Sequence, residues 1–134
     1  DIVIGAAAVA DYAPETTATS KIKKTDAQLS LPLVRTPDIL AGLGAERREG
    51  QVLVGFALET DDGEANARRK LEQKNLDMIV ANDVSREDAG FESENNRVKI
   101  IRRDGNIEDI PIMSKDEVAD HILDRVKEIW QKAS

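Results

Sequence analysis

Three short apolar runs rich in β-branched residues constrain the fold: Ile2-Val3-Ile4-Gly5-Ala6, Val52-Leu53-Val54-Gly55-Phe56 and Asp77-Met78-Ile79-Val80-Ala81. None alternates with polar residues, so each reads as a strand buried on both faces, the habit of parallel sheets. Helical stretches separate them. Thr36-Pro37-Asp38 starts the first, with Thr36 as N-cap, Pro37 at the first helical position and Asp38 suited to the helix dipole. That helix is expected to end near Glu49-Gly50, and a second runs from Asp61 to Lys74. Strand, helix, strand, helix, strand predicts an α/β fold, Rossmann-like and three-layered around a mainly parallel sheet.

The remaining segments fit around that frame. Residues 13–30 read as a flap: Ala13 to Ser20 shows no apolar period and leads into Lys21-Ile22-Lys23-Lys24 and Thr25-Asp26. Leu29-Ser30-Leu31-Pro32-Leu33 alternates, and its proline confines it to a sheet edge. Asn82 to Asn95 is a polar loop. Arg97 to Arg102 and Asn106 to Ile110 flank Asp104-Gly105 and predict a β-hairpin. Ser114 and Glu117 form a capping box for a C-terminal helix. Val118, Ile122, Val126, Ile129 and Trp130 give that helix one apolar stripe, with Trp130 expected in the core or an interface and His121 at the surface. No internal repeat is present, and residues 1–134 read as one domain. Opening inside a core strand, the chain is expected to be the C-terminal piece of that domain, with sheet neighbours upstream.

Composition removes several chemistries. With no cysteine and one histidine, the chain has no disulfide, thiolate metal site or Cys nucleophile, and a His cage or Ser-His-Asp triad is disfavoured. The net charge of −7 disfavours nucleic acid. The Ile2–Ala10 stretch is too short to span a bilayer and lacks a basic leader, so a cytoplasmic domain is expected. Within this acidic chain, cations cluster at Lys21, Lys23 and Lys24 and again at Arg68, Arg69, Lys70 and Lys74. Such clusters suit a small anion, although by composition alone they more often form a solvated face.

In open parallel sheets, ligands bind beyond the carboxyl ends of the strands. That edge carries Ala7 to Asp11, Phe56 to Thr60, Asn82-Asp83 and the start of the Pro37 helix. Lys70 and Lys74 share a helix face, and the Lys21 loop is long enough to fold over the same crevice. Taken separately, each feature is also what ordinary packing leaves. Physics alone reaches an α/β domain with an anion site.

The ordered set, however, resembles the phosphopantothenoylcysteine synthetase family, in its bacterial form. The resemblance rests on Ala7-Ala8-Val9-Ala10-Asp11-Tyr12, Lys21-Ile22-Lys23-Lys24, Thr36-Pro37-Asp38-Ile39-Leu40 and Gly55-Phe56-Ala57-Leu58-Glu59-Thr60. Lys70 with Lys74, and Ala81-Asn82-Asp83-Val84 with Phe91 and Asn95-Asn96, complete it. It implies a CTP-dependent ligase that joins 4′-phosphopantothenate to L-cysteine through an acyl-cytidylate, with Mg²⁺. It further implies Gly5, Ala6, Ala7, Asp11, Lys21, Pro37, Asp38, Ile39, Leu40, Phe56, Lys70 and Lys74 at the nucleotide. Ala7, Ala8 and Asp11 would meet the acid substrate, Asp11 would also touch the metal, and Lys21 with Asp11 would be catalytic. A homodimer and a flavin-dependent decarboxylase domain fused upstream belong to the same expectation, with no flavin in this part. The family's upstream glycine-rich segment and asparagine have no counterpart in these residues.

Three rivals remain in view, of which a structural interaction protein leaves the two lysine clusters and the long polar flap unexplained. Another is a nucleotide-binding or dimerisation module of the same fold, inactive alone. The third, a dinucleotide oxidoreductase, needs Gly-x-Gly-x-x-Gly after a strand, whereas Gly42-Leu43-Gly44 falls inside a predicted helix without a third glycine.

Overall fold

The apolar runs become strands of one five-stranded sheet. The computed structural model describes residues 1–24, 28–59, 63–83 and 95–133. In chain order the elements are β1 (Ile2–Gly5), β2 (Tyr12–Pro14), β3 (Leu33–Arg35), α1 (Ile39–Ala45), β4 (Val52–Glu59), α2 (Gly63–Gln73), β5 (Met78–Asp83), β6 (Asn95–Arg102), β7 (Ile107–Ser114) and α3 (Lys115–Ala133). The sheet order is β1-β4-β5-β6-β7; β1, β4 and β5 are parallel, and the β6–β7 hairpin extends the sheet antiparallel.

Side-chain alternation sorts the strands onto two faces. Val52, Val54, Met78, Val80, Val98, Ile100 and Ile110 pack beneath Val118, Ile122 and Val126 of α3. Leu53, Ala57, Ile79, Ala81 and Ile101 face Ala67 and Leu71 of α2, with Leu40 and Leu43 of α1 beside them. The result is the three-layer α/β arrangement expected, with a C-terminal helix on one side. Each fully buried Val, Leu or Ile contributes about 1.5–3 kcal/mol, so these two clusters carry most of the stability.

The hairpin forms at Asp104-Gly105: Gly105 takes a φ of 90°, and Asp104 Oδ1 accepts the Asn106 N–H at 3.0 Å. The capping box also forms, with Ser114 N–H donating to Glu117 Oε2 at 3.0 Å and Glu117 N–H to Ser114 Oγ at 3.3 Å. A two-pronged pairing of Arg125 with Glu108, at 2.7 and 2.8 Å, ties α3 to β7 and holds the Glu108 carboxyl below its ordinary range.

Several sequence expectations need correction. β1 is not buried on both faces: it lies at a sheet edge, paired only with β4 among the described residues, and Ile2 and Ile4 stay exposed. The edge strand expected over Leu29–Leu33 begins instead at Leu33, after Pro32. Its partner is the unforeseen strand Tyr12–Pro14, in a separate two-stranded sheet. Asp38, not Thr36, caps α1, because its carboxylate accepts the Ala41 N–H while the Thr36 hydroxyl is turned to the Ala10 carbonyl. α1 stops at Ala45, where Glu46 closes the last turn on the Gly42 carbonyl and the chain turns so that Arg47 reaches Asp77. Trp130 lies at the surface rather than in the core, at 44% exposure. The Asn82–Asn95 loop is only partly described: Asn82-Asp83 end β5 and Asn95 starts β6, while residues 84–94 lie outside the described residues, as do the Asp61 helix start and Thr25-Asp26.

At the amino edge of the sheet Asp77 gathers four chain segments. Its Oδ2 accepts the Leu53 N–H at 2.8 Å and its Oδ1 accepts Arg47 at 2.6 Å. Its own N–H donates to Leu53 O at 2.9 Å, and its carbonyl accepts the Arg103 N–H at 2.8 Å. The residue is 8% exposed. Removing one partner of a buried ion pair strands the other. Asp77→Ala is therefore expected to cost about 3–5 kcal/mol in urea unfolding, against roughly 0.5 kcal/mol or less for an exposed carboxylate such as Asp120→Ala.

Candidate functional site

The carboxyl edge is organised by what glycine permits. β1 ends at Gly5, level with Gly55 in β4. A Cβ on Gly5 would fall 2.8 Å from the Leu40 side chain, and one on Gly55 would fall 2.7 Å from Leu76 and 3.4 Å from Leu40. Two bare backbones thus let Leu40 of α1 lie directly on the sheet. The start of α1 is fixed beside the end of β1, a contact no linear pattern announces.

Past Gly5, Ala6 to Asp11 run exposed over this edge before the chain enters β2. Thr36 anchors that run: its N–H donates to the Asp11 carbonyl at 2.9 Å, and its hydroxyl donates to the Ala10 carbonyl. Asp11 and the Pro37–Leu40 segment, 26 or more positions apart, are thereby neighbours. Asp11 keeps its carboxylate in solvent.

The third contribution comes from α2. Lys74 Nζ lies 2.9 Å from Asp38 Oδ2, so a lysine from the end of α2 sits at the N-cap of α1. The Asp38 carboxyl is held below its ordinary value, first by the Ala41 N–H and then by Lys74. Lys70 is one turn earlier on the same helix, half-buried, its carbonyl accepting the Lys74 N–H.

On the opposite face of the sheet, Phe56 continues the Val52, Val54 series and emerges at 38% exposure. Ile2, Ile4 and Leu58 are exposed on the same face, making an apolar floor. Asn82, level with Leu58, and Asn96 bury their Oδ1 atoms there without a hydrogen-bond partner among the described residues.

The structure therefore brings together Gly5, Asp11, Pro37, Asp38, Ile39, Leu40 and Lys74 through described contacts or chain adjacency. Ala6, Ala7 and Ala8 lie on the connecting run, and Phe56 lies next to Gly55. Lys21 is exposed on the irregular stretch 15–24, and no described contact joins it to the Asp38–Lys74 pair. Sequence reasoning missed Thr36 as an anchor and the Asp38–Lys74 pairing. Thr36 was visible only as a cap, and nothing in the spacing of Asp38 and Lys74 signals their contact.

No group of three or more His, Cys, Asp or Glu able to hold a metal occurs among the described residues. Mg²⁺ is commonly held by one or two carboxylates together with substrate phosphates, and the solvent-facing Asp11 carboxylate fits that lesser role.

Asp38 is expected to matter for stability through its cap. Asp38→Ala should lower unfolding free energy by about 1 kcal/mol at neutral pH. Because the folded-state pKa is depressed, the wild-type advantage is present above the ordinary aspartate value and disappears as pH falls through the lowered folded value. Urea titrations of both proteins from pH 7 down to pH 2 would show the two curves converging at the acid end.

Comparison with known proteins gives a consistent set of relatives. The family model described as DNA/pantothenate metabolism flavoprotein C-terminal domain matches residues 1–129. Coenzyme A biosynthesis bifunctional protein CoaBC of Bacillus subtilis (strain 168) is 52% identical over 126 residues, covering 94% of this chain and 31% of that protein. A cysteine/cysteine sulfinic acid decarboxylase from an unknown prokaryotic organism is 48% identical over 126 residues, 94% of this chain and 35% of that protein. The crystal structure of the C-terminal domain of a CoaBC protein superposes with a TM-score of 0.77 at 37% identity, over 98% of this chain and 56% of that one. The chain spans about a third of the length of these two curated relatives. No helix among the described residues is long and apolar enough to cross a membrane.

Proposed function

The chain belongs to the DNA/pantothenate metabolism flavoprotein C-terminal domain family, and on that premise we propose that it carries the nucleotide side of a CTP-dependent phosphopantothenate–cysteine ligase. The observation that carries this reading is the Lys74 ammonium, 2.9 Å from Asp38 at the start of α1, beside the bare backbone of Gly5. A cation at the start of α1 and the exposed main chain that follows Gly5, from Ala6 to Ala8, suit a nucleotide's phosphates at the carboxyl edge of a parallel sheet.

The chemistry asked of such a site has two steps. A substrate carboxylate oxygen attacks the α-phosphorus of CTP, forming the acyl–O–P bond as the bond to pyrophosphate breaks. The amine of L-cysteine then attacks the acyl carbon; the C–N bond forms, the acyl–O bond breaks, and CMP leaves with its electron pair while the amine's proton passes to solvent or a base. Both steps gather negative charge on phosphate oxygens, so the chain's work is to bind, orient and neutralise. Lys74 and Lys70 supply cations from α2, Lys21 supplies one from the flap, and Gly5 to Ala8 offer main-chain groups to nucleotide and acid substrate. Phe56, on the other face of the sheet, offers an aromatic surface to the part of the nucleotide that crosses the carboxyl ends of the strands. Mg²⁺, when bound through the phosphates and Asp11, supplies further charge neutralisation. The decarboxylase name of one relative belongs to a protein of which this chain covers a third, and that activity, a fused flavin-dependent domain and a homodimer all concern the longer assembly.

Calorimetric titration with CTP, ATP and NADH in the presence of Mg²⁺ tests the reading. CTP is expected to bind most tightly, and Lys74→Ala to weaken it about tenfold, the size of one charge-assisted hydrogen bond. Equal binding of all three nucleotides, or none, would overturn it. CTP binding without pyrophosphate release on addition of 4′-phosphopantothenate would favour a binding module over an enzyme.

A further inference from the structure

The end of α2 is built in unusual detail for a helix terminus. Asn75 has a φ of 53°, the only non-glycine with positive φ among the described residues. It closes α2 as the left-handed residue of a Schellman motif: its N–H donates to Glu72 O at 3.1 Å and the Leu76 N–H to Leu71 O at 2.9 Å. Leu71 and Leu76 are buried in the same cluster, the apolar contact that frequently accompanies that motif. Lys74 is thus the last residue before a turn whose direction is fixed.

The Asn75 side chain then fastens this turn to α1. Its Nδ2 donates to Gly44 O at 2.8 Å, its Oδ1 accepts Arg103 at 2.6 Å, and its carbonyl accepts Arg47 at 3.1 Å. Gly44 lies so close that a Cβ there would stand 1.9 Å from the Lys74 carbonyl oxygen, a backbone atom with no freedom to yield. The Gly42-Leu43-Gly44 sequence, no dinucleotide motif, places its second glycine at this contact. α1 is consequently gripped at both ends by consecutive residues, Asn75 at Gly44 and Lys74 at Asp38.

We propose that Asn75 is a positioning residue of the nucleotide site, which by its bond to Gly44 O sets α2 against α1 so that the Lys74 ammonium is presented at Asp38. The proposal rests on the nucleotide reading above. Asn75 itself touches no substrate; it acts through Lys74.

Asn75→Asp isolates the bond. Aspartate also tolerates the left-handed conformation and still accepts from Arg103, but it cannot donate to Gly44 O. CTP affinity is expected to fall about tenfold in Asn75→Asp, as in Lys74→Ala, and Lys74→Ala/Asn75→Asp should bind no more weakly than Lys74→Ala alone. Ile122→Val, on the α3 face, serves as a destabilised control that keeps its affinity. In parallel, carbon-13 NMR titration of the Asp38 carboxyl reads the geometry without nucleotide: Asn75→Asp should move its pKa part of the way back toward the ordinary value. Wild-type CTP affinity in Asn75→Asp, additive losses in the double variant, or an unmoved Asp38 titration would each overturn the positioning role. If the wild-type protein binds no CTP while the Asp38 titration moves as expected, the nucleotide reading fails and the role of Asn75 in the site falls with it, while the joint itself stands.

Discussion

Asp77 is the point from which the rest of the structure is held. β4 and β5 are parallel neighbours with α2 between them, so no tight turn sets their alignment. A reciprocal pair of bonds sets it instead: the Asp77 N–H donates to the Leu53 carbonyl, and the Leu53 N–H donates to the Asp77 carboxylate. From there the register runs Val54↔Met78 to Glu59↔Asp83, and a slip of one residue would turn each strand's core side chains onto the wrong face. The same carboxylate takes Arg47, which also bonds Asn75 O and Gln51 O. One buried acid thus ties the exit of α1, the start of β4, the start of β5 and, through Arg103, the hairpin.

That concentration of polar bonds at the amino edge leaves the carboxyl edge free to be something else. Opposite Asp77, β1 ends at Gly5, the chain runs on exposed from Ala6 to Asp11, and bonds from distant segments hold that run and the start of α1. Thr36 supplies two of them, to Ala10 and Asp11, and Lys74 supplies a third from across the helix layer. On the proposed reading, the bonds that set the strand register and the groups that meet the ligand are largely separate, which lets the ligand side carry charge and exposed main chain without weakening the core.

Much of this frame was legible in the sequence because it follows from short-range rules. Uninterrupted β-branched runs gave three strands, Asp104-Gly105 gave the hairpin, and Ser114 with Glu117 gave the start of α3. The failures have a common cause in long-range competition. Thr36 is a better-looking cap than Asp38 until the Ala10 carbonyl is there to take its hydroxyl. Pro32 sits inside the alternating stretch, but the strand begins only where Tyr12–Pro14 can pair with it. β1 reads as buried because its composition is that of a covered strand, yet Ile2 and Ile4 face solvent. Of the candidate site, the residue types were readable and the contacts were not: Asp38 and Lys74 are 36 positions apart, and Leu40 meets Gly5 across 35.

The pairing of Lys74 with Asp38 bears on how an acidic chain can hold a polyanion. A lysine left alone at the edge would attract phosphate, but it would also be free to sample many rotamers, each lost on binding. Held by Asp38, it is ordered beforehand, and the pair is partly exposed, so its mutual attraction is modest and screened. A triphosphate carries several charges against the single charge of Asp38, so it can share or take over the ammonium at small cost. Asp38 also offers its carboxylate to the Ala41 N–H, so it stays anchored as a cap while the lysine changes partner. On the proposed reading, the negative charge at the helix start is what keeps the cation in place for the ligand, and the net charge of −7 limits attraction of longer polyanions to the same edge.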